Sequence, residues 1–144
     1  MFILFNPSPY REELKKWDFN KLYAVILNQL EAKAFSGKNE PMECLHSLLE
    51  MYPYLKVVIT LGKDGCIYSD GQNTYTQPAF SVNAVDTTAA GDTFSGYFVS
   101  GLYRKNPPEE ILRNATAAAA IATTRKGAAP SIPTRDEIEK FINE

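Results

Sequence analysis

The residues best placed to do chemistry lie in positions 84–101, where the small and polar run Ala-Val-Asp-Thr-Thr-Ala-Ala-Gly passes directly into Asp92-Thr-Phe-Ser-Gly-Tyr-Phe-Val-Ser-Gly. Phe94, Phe98 and Leu102 recur at helical spacing with Tyr97 beside them, so Ala89, Ala90 and Gly91 are predicted to form the turn that opens a helix. A helix opening exposes N–H groups without intrahelical partners, and these suit an anion. Small side chains let a ligand approach that backbone. Asp92, in the first turn, would stand beside the anion and accept a proton from an incoming hydroxyl while a phosphate rests on the N–H groups, which is the arrangement phosphoryl transfer needs. The structural alternative is that the aspartate caps the helix or complements its dipole, and that Ala-Ala-Gly is close packing.

The elements that must position this stretch follow from the apolar pattern. Residues 2–5 form a short apolar run ended by Asn6-Pro-Ser-Pro9, and a brief helix is expected over 11–16. Residues 22–27 are again continuously apolar, as strands buried on both faces of a parallel sheet are. Asn28-Gln-Leu-Glu31 then fits a capping box, with a polar pair at a strand's carboxyl end as the functional alternative. Residues 40–51 carry Met42, Cys44, Leu45, Leu48 and Leu49 as a buried helical stripe; His46, the single histidine, lies off it and reads as a surface residue. A strand over 56–60 runs into Leu61-Gly62-Lys63-Asp64-Gly65, a tight turn that is neither a Walker A sequence nor a dinucleotide fingerprint. Residues 66–69 and 74–78 read as a hairpin around Asp70-Gly71-Gln72-Asn73. Pro107-Pro108 stops the helix after Asp92, and a helix over 109–124, almost all small at 115–120, allows close backbone packing. The loop 125–131 and an amphipathic helix over 134–142 complete the pattern. The alternation predicts an α/β fold with helices on both faces of a mostly parallel sheet, and ligands at the strands' carboxyl edge, where Asn28, Gly62 and Gly91 are all expected.

Composition sets the bounds. With 144 residues, 44% of them hydrophobic, the chain can bury the core of one domain and is too short for two ordinary ones. A net charge of −2 and a pI near 5.5 give no general attraction to nucleic acid or to anionic membranes, so a phosphate ligand must be held locally. Residues 1–5 are too few to span a membrane and have no basic region before them, so they read as a buried strand. Cys44 and Cys66 match no metal-ligand spacing and are expected as reduced thiols in a cytoplasmic protein.

With these residues laid out, the sequence resembles the ribokinase, or PfkB, family of carbohydrate kinases, above all the bacterial ribokinases. Asp86-Thr-Thr-Ala-Ala-Gly-Asp-Thr-Phe94 is similar to the family's carboxyl-terminal signature, and Ala117-Ala-Ala-Ala-Ile-Ala-Thr-Thr-Arg-Lys-Gly-Ala-Ala-Pro-Ser131 to the ribokinase cation loop. Asn6-Pro-Ser-Pro9, Asn28-Gln-Leu-Glu31 and Thr60-Leu-Gly-Lys-Asp-Gly65 also resemble family segments. The resemblance implies a ribokinase-like three-layer α/β/α fold, of which this is the carboxyl-terminal half, and an ATP-dependent sugar kinase. It implies Asp92 as the base toward a sugar's primary hydroxyl, and the N–H groups of Ala89, Ala90 and Gly91 as the anion hole. Asn28 and Glu31 would help hold phosphate and water-coordinated Mg²⁺. Thr60, Leu61, Gly62, Lys63, Asp64 and Gly65 would form a nucleotide-binding loop, with Thr116 near the base or ribose. A monovalent cation, usually potassium, would be held by the Asp86 carboxylate, the carbonyls of Thr88, Ala122, Arg125 and Gly127, and the Ser131 hydroxyl. Set against the family, the amino-terminal half that supplies most sugar contacts and the lid is missing, which implies a truncated reading frame or an excised piece. The expected partners are a sugar and ATP, with a second copy or a separate amino-terminal half as a further possibility. The alternatives carried forward are a non-catalytic nucleotide-binding or scaffold remnant and a nucleoside kinase of the same superfamily.

Overall fold

The computed structural model describes residues 3–7 and 9–144. Phe2 and Met1 of the first predicted strand, and Ser8 of the Asn-Pro-Ser-Pro motif, lie outside the described residues. The chain folds as two compact units, one of residues 1–62 and 66–76, the other of residues 63–65 and 77–144.

The first unit carries a five-stranded mixed sheet in the order β1 (Leu4–Phe5), β2 (Ala24–Asn28), β3 (Lys56–Thr60), β4 (Cys66–Ser69), β5 (Thr74–Gln77). β1, β2 and β3 run parallel, and β4 returns antiparallel to β3. The β4–β5 hairpin turns at Asp70, whose Oδ1 accepts the N–H groups of Gln72 at 2.9 Å and Asn73 at 2.7 Å. Two helices, α1 (Gln29–Ser36) and α2 (Pro41–Met51), connect β2 to β3. Period-two alternation puts Val25, Leu27, Val57 and Ile59 into one core with Ala32, Cys44, Leu45 and Leu48 of these helices. Ala24, Ile26 and Val58, which point the other way, are equally buried, as the continuous apolar runs require. Each buried Val, Leu or Ile side chain contributes roughly 1.5–3 kcal/mol by leaving water.

Most of the predicted elements are present within a residue or two. The brief helix expected over 11–16 is a 3₁₀ turn at Glu12–Lys16, and a second 3₁₀ turn at Phe19–Lys21 is capped by Asp18, which accepts the Asn20 N–H at 3.1 Å. Met42 departs from the expected buried stripe of α2. It is 40% exposed, because it sits in the helix's first turn beside Pro41, before the helix face turns onto the sheet. His46 is exposed, and Cys44 and Cys66 are buried and not joined in a disulfide.

The second unit is helical: α3 (Ala90–Tyr103), α4 (Pro108–Thr123) and α5 (Arg135–Ile142). Small residues set its packing. A Cβ on Gly101 of α3 would lie 2.7 Å from Ile111 Cγ1 of α4, so the two helices meet where there is no room for a side chain. Ala117, Ala118 and Ile121 of α4 receive Ile138 of α5, with Tyr97 and Phe141 packed against them. Among the described residues no helix is long and apolar enough to cross a membrane.

Candidate functional site

In the second unit, α3 opens two residues before Asp92. Ala89 is its N-cap, the Thr93 N–H reaches the Ala89 carbonyl at 2.9 Å, and the Ala90 N–H closes a turn onto the Thr87 carbonyl at 3.2 Å. Ala90 and Gly91 are therefore helical residues as well as turn residues. The N–H groups of Gly91 and Asp92 are left at the helix mouth with no partner among the described residues. Ala89 offers no side-chain cap, and Gly91 and Asp92 are both exposed. The Asp92 carboxylate accepts no hydrogen bond from the described residues, so it does not act as the cap that the structural alternative supposed. Next to it, the Thr93 hydroxyl is buried without a partner among the described residues.

A second cluster sits just before this turn. Asp86 Oδ1 accepts the Thr88 N–H at 2.9 Å and the Thr88 hydroxyl, while Oδ2 accepts the Gly127 N–H at 3.2 Å. Those bonds, the Thr88 hydroxyl foremost, then the N–H groups of Thr88 and Gly127, hold the Asp86 carboxyl below its ordinary pKa. The N–H groups of Val85 and Asp86 go to the Thr123 carbonyl at the end of α4, at 2.7 and 3.0 Å. The structure thus ties the 85–88 segment to the 123–127 segment, with Asp86, Thr88, Arg125 and Gly127 on the two sides of the seam. Ala122, at the end of α4, is buried, and its carbonyl accepts the Arg125 N–H at 3.2 Å. Ser131, fully buried, donates its hydroxyl to the Ala128 carbonyl at 2.5 Å, which leaves its oxygen free to accept or coordinate. Thr116 lies buried within α4.

One residue the sequence reading passed over stands beside this seam. Glu137 of α5 binds the Arg125 guanidinium, Nη2 to Oε1 at 2.7 Å, and accepts the Thr134 N–H at 2.6 Å. The Arg125 hydrogen bond first, then the Thr134 N–H, lowers the Glu137 pKa to about 2. The sequence did carry a local signal, since Thr134-Arg-Asp-Glu137 spells a capping box.

In the first unit, Asn28 ends β2 and caps α1. Its Oδ1 accepts the Glu31 N–H at 2.9 Å, and Glu31 Oε2 accepts the Asn28 N–H at 2.9 Å, so the predicted capping box forms. Glu31 is only 3% exposed, an uncommon place for a carboxylate. Register pairs Asn28 with Thr60, which puts both at the carboxyl ends of neighbouring parallel strands. Thr60 leads through Leu61 into a 3₁₀ turn at Gly62–Asp64, with Gly62 at φ +58° and Gly65 at φ +92°. Lys63 and Asp64 are exposed, whereas Gly65, in the second unit, is buried with no space for a Cβ: that atom would fall 1.9 Å from the Gln77 carbonyl oxygen.

Comparison with known proteins bears on both units. The architecture is that of the ribokinases: the crystal structure of ribokinase from Thermotoga maritima superposes with a TM-score of 0.84 at 34% identity, over 99% of this chain and 49% of that one. Ribokinase from Cryptococcus neoformans, solved in complex with ADP, gives a TM-score of 0.84 at 25% identity, over 97% of this chain and 50% of that one. Residues 1–135 match the pfkB family carbohydrate kinases, and the chain belongs to that family. Ribokinase of Bacillus subtilis is 36% identical over 141 residues, which cover 98% of this chain and 46% of the relative. The chain therefore spans about half the length of these relatives.

Proposed function

We propose that this chain is the nucleotide-handling part of an ATP-dependent, ribokinase-like sugar kinase, which moves the γ-phosphoryl group of ATP to a primary hydroxyl of a pentose or related sugar. The observation that carries this reading is the mouth of α3, where the N–H groups of Gly91 and Asp92, without a partner among the described residues, adjoin the exposed Asp92 carboxylate, which accepts no hydrogen bond from those residues. Asp92 takes the hydroxyl proton, the sugar oxygen bonds to the γ-phosphorus, and the bond to the β,γ-bridging oxygen breaks with its electron pair leaving on ADP. The N–H groups of Ala89 and Gly91 in the turn, with that of Asp92, stabilise the charge on the transferring oxygens, the Ala90 N–H being engaged by the Thr87 carbonyl.

In the first unit, Asn28 and Glu31 are the residues proposed to act toward phosphate and water-coordinated Mg²⁺. The fit is favourable: Glu31 is a buried carboxylate, and a carboxylate out of water calls for a compensating cation or hydrogen bonds. Thr60, Leu61 and Gly62, followed by Lys63, Asp64 and Gly65, are proposed to line the nucleotide, and Thr116 to approach its base or ribose. A monovalent cation is proposed to be held by the Asp86 carboxylate, the carbonyls of Thr88, Ala122, Arg125 and Gly127, and the Ser131 hydroxyl. These donors are all oxygens, and the Gly127-to-Asp86 bond brings the two loops that carry them together, which suits a hard cation such as potassium. When bound, such an ion adds positive charge next to the anion turn. Among the described residues no three His, Cys, Asp or Glu side chains converge, so the divalent ion would share its shell with phosphate and water.

The sugar contacts are proposed to come from the amino-terminal half of the ribokinase fold, outside the residues matched here, or from a second copy, in the cytoplasm, where ATP is at hand and Cys44 and Cys66 stay reduced. A second reading is a nucleotide-binding or scaffold remnant that transfers nothing by itself. One assay separates the two. Purified chain with Mg-ATP, potassium and ribose is expected to yield ADP and phosphorylated sugar in equal amounts, abolished in Asp92→Asn. Nucleotide binding with no turnover, and no difference between wild type and Asp92→Asn, would overturn the kinase reading in favour of the remnant.

A further inference from the structure

The proposed reaction leaves unused the ion pair between Arg125 and Glu137. Its carboxylate end is anchored. Glu137 lies in the first turn of α5, where Oε2 accepts the Thr134 N–H at 2.6 Å, and its neighbour Ile138 is 2% exposed against α4. The segment leading into α5 is held too, since the Tyr97 hydroxyl of α3 donates to the Pro133 carbonyl at 2.6 Å. The guanidinium end belongs to the loop: Arg125 reaches Glu137 through Nη2 at 2.7 Å and Nη1 at 3.5 Å. Two residues on, the Gly127 N–H is fixed to Asp86 at 3.2 Å. The backbone from Arg125 to Gly127 is thus tied at one end to Glu137 and at the other to Asp86.

We infer that Glu137 is a positioning residue for the monovalent cation: by gripping Arg125 it sets the Arg125–Gly127 backbone, whose carbonyls are among the proposed ligands, without touching the ion. The inference rests on the cation reading given above. A forked guanidinium fixes orientation as well as distance, which a lysine in its place would not. A loop already held in its bound shape pays less on binding, so loss of the grip raises the cation concentration required.

The test uses the whole chain with potassium titrated against tetramethylammonium at constant ionic strength. Readouts are the rise in Tm with potassium and hydrogen exchange at the Gly127 amide. Glu137→Gln keeps an acceptor suited to the capping box but loses the charge that holds Arg125. It is expected to raise the potassium midpoint about two- to fivefold, the range an exposed ion pair supports, and to speed Gly127 exchange even without potassium. Arg125→Lys is expected to shift both readouts the same way, and Glu139→Gln, on the same helix, neither. If wild type responds to potassium and Glu137→Gln matches it in midpoint and exchange, the inference is overturned while the cation reading stands. If wild type shows no potassium response, the cation reading fails and the inference falls with it.

Discussion

Gly65→Ala should be the most damaging small substitution in the chain. The new Cβ would lie 1.9 Å from the Gln77 carbonyl oxygen, 2.8 Å from the Ala79 nitrogen and 2.9 Å from the Gln77 carbonyl carbon, all backbone atoms that cannot rotate aside. Gly65 also sits at φ +92°, where an L side chain costs about 1–2 kcal/mol. Forcing a methyl into a filled site costs about 1–3 kcal/mol more, and the stiffer unfolded chain returns roughly 0.4–1 kcal/mol. The net loss is about 2–4 kcal/mol, a large part of a domain's usual margin. With a urea slope of about 2 kcal/mol/M, the unfolding midpoint should fall by about 1–2 M. The assay is a urea melt followed by far-UV circular dichroism, to which α3 and α4, the longest helices, contribute most. The control is Gly96→Ala, an exposed position inside α3 with nothing within 4 Å of its Cβ, which should gain roughly 0.5–1 kcal/mol from helix propensity. A Gly65→Ala midpoint within about 0.3 M of wild type would refute the steric reasoning.

Two further outcomes follow from the hydrogen bonds. Asn28→Ser retains a good N-cap and should cost only a few tenths of a kcal/mol, whereas Asn28→Ala should cost about 1 kcal/mol; Mg-ATP affinity measured by calorimetry should fall in both if the side chain serves the nucleotide, and in neither if it is only a cap. Glu137 has a folded-state pKa of about 2 against an ordinary 4.5, so its stabilising contribution is present above pH 4.5 and is lost as the pH falls toward 2. The Tm gap between wild type and Glu137→Gln should accordingly close over that acid range, and a gap that widens on acidification would contradict the assigned pairing.

What the sequence disclosed was local in origin. Asn28 and Glu31 are three residues apart, so their mutual capping is written in the chain and forms as expected. The apolar runs of β2 and β3 and the Asp70 turn are equally short-range patterns. Met42 shows the limit of periodicity, which assigns a face to a side chain but not the point along a helix where that face meets the sheet. The bond from Gly127 to Asp86 spans 41 residues, and no spacing rule reaches it; only resemblance to a family placed those two loops together. Arg125 and Glu137 lie 12 residues apart across a loop, and charge alone did not mark them as partners. The exact start of α3 has a local reason: the helix begins at Ala90 because a single bond, from the Thr93 N–H to the Ala89 carbonyl, extends it back past Asp92.

The division of the chain has a consequence for the order of events during synthesis. Every segment of the first unit has left the ribosome once Thr76 has, and with it three residues, 63–65, that belong to the second. Domains form as units, amino-terminal first, as translation proceeds. The β3–β4 connection is therefore laid down with a short excursion whose packing partners, Gln77 and Ala79, emerge only afterwards. Gly65 holds that excursion open for them, a vacancy in time as well as in space, and a side chain there would obstruct the later half of the chain as it arrives.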